Sequence, residues 1–85
     1  MTPYEARAML DTTVREIVPD ADLGTIPGDA DLRETYELDS LDFVELVEKL
    51  SAHAGFRIED SDADALRTPD SAVAFLVRGR PDART

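Results

Sequence analysis

Residues 37–50 read ELDSLDFVELVEKL, a serine set between two aspartates at the head of an amphipathic run. Phe43, Leu46, Val47, Leu50 and Ala54 follow the i, i+3, i+4, i+7 and i+11 spacing that gathers side chains on one face of an α-helix. Asp39 is a good N-cap, Asp42 three residues later resembles the second half of a capping box, and Gly55 suits a left-handed C-terminal cap. The pattern predicts a helix over 40–54. A cap accounts for Asp39 and Asp42. It does not account for Ser40, which falls at the first helical position, off the apolar stripe and facing solvent.

A hydroxyl nucleophile needs a general base beside it. The single histidine, His53, lies thirteen residues on, more than three turns away near the far end of the same helix. That separation excludes a Ser-His-Asp triad within this chain. A Ser40 that reacts is therefore activated by another enzyme, which makes it a modification site rather than a catalyst. His53 itself reads as a partner of the helix's C-terminal dipole, or a partly packed side chain, rather than a ligand.

Upstream, Thr2-Pro3 followed by Glu5 is a helix start, and Ala6, Leu10, Val14 and Ile17 share one face up to the stop at Pro19. Residues 19–38, PDADLGTIPGDADLRETYEL, form a long loop rich in Pro, Gly and Asp. Leu23, Ile26, Leu32, Tyr36 and Leu38 recur in it as anchors to a core, with a helical turn predicted at 31–35. Downstream, FRIED is a short extended link with Phe56 and Ile58 turned inward, and 61–66 is read as one or two helical turns contacting the core through Ala63 and Leu66. Thr68-Pro69-Asp70 opens a last helix with Ala72, Val73, Phe75 and Leu76 inward, ending near Gly79; residues 80–85 read as a flexible tail. The predicted fold is all-α: a four-helix bundle of three longer helices and one short, with a long loop after the first.

A chain of 85 residues makes one small domain. At this size folding buries only about 60–65% of the unfolded surface, too little to enclose a deep cleft with a full catalytic constellation, so a non-enzyme is expected. The absence of cysteine excludes disulfides, thiolate metal sites and cysteine nucleophiles; sulfur for any thioester must come from a cofactor. No apolar run approaches the roughly 18 residues of a membrane span, and the start lacks a signal peptide's basic and apolar regions, so a soluble cytoplasmic monomer is expected. The segment DSDADAL lacks the loop glycine and terminal glutamate of an EF-hand, and no structural metal is expected.

The formal charge is −10, and positions 20–48 carry ten acids against one base, Arg33. Such a field repels nucleic-acid backbones and steers basic protein partners.

LDSLDFVELV resembles the attachment motif of acyl carrier proteins, in which Asp-Ser-Leu-Asp precedes alternating apolar and acidic residues. The order of elements is also similar, down to RTPDSAVAFL at the last helix, so the likeness covers nearly the whole chain, residues 3–79. The resemblance implies that Ser40 is esterified by 4′-phosphopantetheine from coenzyme A, through a phosphopantetheinyl transferase, and that acyl groups ride on the arm's thiol as thioesters. It also implies a partner-facing surface of Asp39, Leu41, Asp42, Val44, Glu45 and Glu48 that docks acyl-transferring or condensing enzymes with basic patches. Two residues depart from the fatty-acid carriers: Glu48 stands where a large apolar residue is common, and Phe43 where a smaller or polar one is. YELDS lacks the Gly-Gly lead-in of peptidyl carriers. These departures leave the pathway open among fatty-acid, polyketide or other specialised-metabolite synthesis and modification of a cell-surface polymer, with a lean towards a specialised pathway. The alternative is an unmodified acidic docking subunit of the same fold.

Overall fold

Each long helix starts at the cap expected of it. In the computed structural model, which describes residues 1–79, the described chain runs through α1 (Pro3–Ile17), a 3₁₀ turn (Leu23–Thr25), α2 (Leu32–Thr35), α3 (Ser40–Ala54), a 3₁₀ helix (Asp60–Leu66) and α4 (Pro69–Arg78). The tail expected at 80–85 lies outside the described residues. Thr2 and Glu5 close a reciprocal capping box at α1, Asp39 and Asp42 at α3, and Thr68 and Ser71 at α4. Gly55 takes the left-handed conformation (φ 81°) that ends α3, as its position suggested.

The core is built mainly of leucine. Leu10, Leu23, Leu32, Leu46, Leu50, Leu66 and Leu76 are all fully buried, each contributing about 1.5–3 kcal/mol of apolar burial. They let α1 pack against both α3 and α4, while the 3₁₀ helix packs on α4. Of the α3 stripe, Leu46 and Leu50 are fully buried; Phe43, Val47 and Ala54 are half-buried at its margins. Phe56 packs its ring against Phe75 at 5.9 Å between centroids.

The segment 19–38 is ordered because it is tied at both ends. Near its start, the Leu23 N–H donates to Asp11 Oδ1 (3.1 Å), and Arg7 Nη2 donates to the Leu23 carbonyl (3.0 Å). Further on, the Asp70 N–H donates to the Gly28 carbonyl and the Leu32 N–H to the Arg67 carbonyl. A Cβ at Gly28 would run into the Asp70 carboxylate, which would have to swing aside. The predicted turn at 31–35 is α2, with Asp31 capping the Glu34 N–H. An additional 3₁₀ turn follows Asp22, whose side chain accepts the Gly24 N–H.

The short helix expected at 61–66 is 3₁₀ and one residue longer. Of the two apolar contacts the sequence marks out, Leu66 is buried in the core, but Ala65 rather than Ala63 packs against that core; Ala63 instead lines a surface hollow, and most of the acids are left in water. Tyr36 reaches inward as expected of an anchor, but its hydroxyl is buried without a hydrogen-bond partner. Burial pushes that phenol's pKa up, and the Asp11 and Asp22 carboxylates add to the effect. The Asp22 backbone, beside the hydroxyl but outside hydrogen-bonding geometry, offsets part of it.

Candidate functional site

The turn into α3 is drawn tight by the Leu38 N–H, which donates to the Arg33 carbonyl at 2.9 Å. Between them Glu37 adopts φ 53°, a left-handed conformation that costs a residue with a Cβ about 1–2 kcal/mol. The chain then extends through Asp39, whose Oδ1 accepts the Asp42 N–H at 2.8 Å, while Asp42 Oδ2 receives the Asp39 N–H at 3.4 Å. Ser40 follows as the first residue of α3, exposed. Because two carboxylates perform the capping, its hydroxyl has no hydrogen-bonding role among the described residues.

Ser40 shares this freedom with the exposed Thr12, Thr35 and Ser61, but differs from them in standing at the head of a long capped helix; the other described serine and threonine hydroxyls are committed. Thr13 Oγ1 donates to the Met9 carbonyl, Thr25 Oγ1 to the Asp22 carbonyl and Ser51 Oγ to the Val47 carbonyl. Thr2 and Thr68 cap their helices. An exposed, uncommitted hydroxyl on a rigid helix end fits a covalent phosphodiester: it is reachable from solvent, and esterifying it breaks no internal hydrogen bond. The partial positive charge of the helix N-terminus favours that group, while Asp39 and Asp42 oppose it.

The remaining predicted partner residues form one strip. Leu41, Val44, Glu45 and Glu48 occupy i, i+3, i+4 and i+7 positions of α3, all exposed, with Leu41 at 79% and Val44 at 53% of full exposure. Two apolar side chains this open on a helix with a buried leucine face serve no packing purpose within the described chain. Glu45 is 3.8 Å from Lys49 across one turn. A groove of about 560 Å³ runs beside the strip, lined by Val44, Glu48, Ser51, Phe56, Arg57 and Ile58 among others. Asp39 and Asp42 head the same helix, so the six residues and Ser40 sit on one element.

Phe43 occupies the other side of the first turn, walling a hollow of about 240 Å³ with Asp31, Arg33, Ala63, Asp64 and Arg67. The Arg33 guanidinium lies over the Phe43 ring, 5.2 Å from its centroid. The sequence marks Arg33 as the lone base of an acidic stretch but does not say where its side chain lands. Ser51 was also missed: its Oγ accepts the Ile58 N–H at 3.0 Å, latching the link after Gly55 back onto α3. His53 is far from Ser40, exposed at the far end of the helix, and meets Glu16 of α1 at 3.0 Å. Among the described residues no group of His, Cys, Asp or Glu is placed to hold a metal ion.

Comparison with known proteins gives this arrangement a family. The family described as "Phosphopantetheine attachment site" matches residues 10–76. An acyl carrier protein of Rubrobacter xylanophilus is 36% identical over 67 residues, covering 75% of this chain and 83% of that protein. Acyl carrier protein 2 of Pseudomonas aeruginosa is 38% identical over 53 residues, 62% of this chain and 67% of its own length. An acyl carrier protein of Saccharopolyspora erythraea is 46% identical over 43 residues, 51% of this chain and 45% of that protein. No solved structure matches. With the family matched across well over half its length and the helical bundle in place, the chain belongs to the acyl carrier proteins, which carry acyl groups on a 4′-phosphopantetheine prosthetic group.

Proposed function

We propose that Ser40 is the residue that carries the 4′-phosphopantetheine arm, and that the exposed strip of α3 is where partner enzymes dock. The observation that carries the first part is the Ser40 hydroxyl: exposed, at the first position of a capped helix, and engaged in no hydrogen bond among the described residues. When bound, the arm supplies the thiol that this cysteine-free chain lacks, and acyl groups are held there as thioesters. The chain's own part is to present the hydroxyl to a phosphopantetheinyl transferase and to keep the arm's root on a rigid element. It performs no catalysis itself: His53, the one imidazole, is committed to Glu16 at the opposite end of α3.

Docking combines two forces. Leu41 and Val44 provide apolar contact, and Asp39, Asp42, Glu45 and Glu48 orient the approach of basic surfaces. Exposed ion pairs contribute only about 0.2–1 kcal/mol each, which suits a carrier that visits many enzymes briefly. Glu48 in the middle of the strip makes it more acidic and less apolar than that of the fatty-acid carriers. This favours acyl-transferring or condensing enzymes of polyketide or another specialised synthesis, in the cytoplasm, served by a monomer. No helix of the described residues is long and apolar enough to cross a membrane.

The test is intact mass after incubation with coenzyme A and a broad-specificity phosphopantetheinyl transferase. The parent gains one phosphopantetheine and Ser40→Ala gains none. A folded parent that stays unmodified, with the transferase active on another carrier, points instead to an unmodified docking subunit.

A further inference from the structure

We infer that Arg33 receives the phosphodiester of the arm, an inference that rests on Ser40 as the attachment point. The charge pattern sets the problem. Positions 20–48 hold ten acids and Arg33 as the one base. A phosphodiester on Ser40 stands between Asp39 and Asp42, whose carboxylates repel it. The Asp42 N–H at the helix start is already taken by Asp39 Oδ1, so a cation from outside α3 adds to what the helix N-terminus has left to offset that repulsion.

Arg33 is the cation that the fold brings there. Its carbonyl accepts from the N–H of Leu38, two residues before Ser40, and its guanidinium lies over the ring of Phe43, three residues after. These two contacts straddle Ser40. Helical side chains lean toward the N-terminus, so Phe43 carries the guanidinium back over the first turn of α3.

Arg33 is also uncommitted. Arg15, Lys49, Arg57 and Arg67 each pair with a carboxylate, and Arg7 donates to the Leu23 carbonyl. No carboxylate of the described residues pairs with Arg33. Arg67, on the same hollow, is held by Asp31 at 3.5 Å. Arg78 likewise lies over a ring, that of Phe75, but in the last turn of α4. The ring contact engages no N–H donor of the guanidinium in a hydrogen bond, which leaves them for phosphate oxygens.

The experiment compares arm-free and arm-loaded forms of the parent, Arg33→Gln and Arg33→Lys, each loaded with the transferase and verified by intact mass. Urea unfolding is followed at low salt and at high salt, and the Arg33 Nε–Hε resonance of the parent is recorded in both forms. Arg33→Gln is expected to weaken the loaded form more than the arm-free form, by roughly two- to five-fold in the unfolding equilibrium at low salt. The excess vanishes at about 1 M salt, Arg33→Lys restores part of it, and the resonance shifts on loading. Equal weakening of the two forms, with an unmoved resonance, overturns the inference and leaves Arg33 as packing over Phe43. A parent that gains no arm is recognised by mass alone and overturns the attachment reading, and this inference with it.

Discussion

Asp39-Ser40 and Asp70-Ser71 are the same dipeptide at the start of two helices, and the fold treats their serines oppositely. Ser71 sits at the third position of α4, half-buried, with its Oγ donating to the Ala65 carbonyl (2.7 Å) and accepting the Thr68 N–H (3.2 Å). Its own N–H donates to Thr68 Oγ1 at 3.1 Å. Ser71 therefore ties α4 to the 3₁₀ helix before it. At α3 the capping is done by Asp39 and Asp42, one on either side of Ser40, so that serine is spared. A serine that caps is part of the fold; one flanked by carboxylates that cap in its place is available for chemistry. Asp60-Ser61 is a third copy, exposed but within a 3₁₀ helix rather than at the head of an α-helix.

The sharpest way to break this comparison is to delete each hydroxyl. Ser40→Ala is expected to lose all phosphopantetheine uptake by intact mass while its urea midpoint moves by less than about 0.5 kcal/mol equivalent, because no internal contact is removed. Ser71→Ala is expected to do the reverse. It keeps full uptake and loses about 1–3 kcal/mol, since partly buried groups of Thr68 and Ala65 are left without their partner. If Ser71→Ala abolished uptake in a folded protein, or Ser40→Ala unfolded it, the division of labour would be wrong.

The geometry at the start of α3 was legible because its signal is local. Asp39, Ser40 and Asp42 are neighbours in sequence, and the position of the hydroxyl follows from where the helix starts. The caps at Thr2 and Thr68 and the left-handed Gly55 were legible for the same reason. The Ser51 latch was not, because its partner is the Ile58 N–H, which reaches it only after Gly55 reverses the chain. Arg33 over Phe43 depends on the tight Arg33–Leu38 turn, which charge patterning does not report. The 3₁₀ character of Asp60–Leu66 was hidden too, since α and 3₁₀ turns place residues three apart on nearly the same side over so short a run.

The two helix starts also differ in backbone strain. Thr68 leads into α4 in an extended conformation, whereas α3 is entered through Glu37 at φ 53°. Replacing Glu37 by glycine relieves about 1–2 kcal/mol of left-handed strain and returns about 0.4–1 kcal/mol through a freer unfolded chain. The net expectation for Glu37→Gly is a gain of about 0.5–1 kcal/mol in urea unfolding, with uptake at Ser40 retained. Gly55→Ala, at a φ of 81° and with open space for a Cβ, is the mirror experiment and should lose stability. A loss in Glu37→Gly would mean that the glutamate makes up for its strain elsewhere in the turn.

The smallest effect separates the caps by their chemistry. The box at α4 joins Thr68 and Ser71 and contains no titratable group. The one at α1 joins Thr2 to Glu5, whose Oε1 accepts the Thr2 N–H at 2.8 Å. That backbone bond first, and the Thr2 hydroxyl second, hold the Glu5 carboxyl below its ordinary value of 4.5. A carboxylate depressed in the folded state stabilises fully above its unfolded pKa, and the contribution is lost as pH falls through the folded one. The stability difference between the parent and Glu5→Gln, which does not titrate, should therefore be constant well above pH 4.5. Below it the difference should shift against the parent as Glu5 protonates. A difference between the parent and Ser71→Ala, followed over the same range, should show no such step. If both differences moved together with pH, the acid sensitivity would belong to the acidic chain as a whole rather than to the α1 cap.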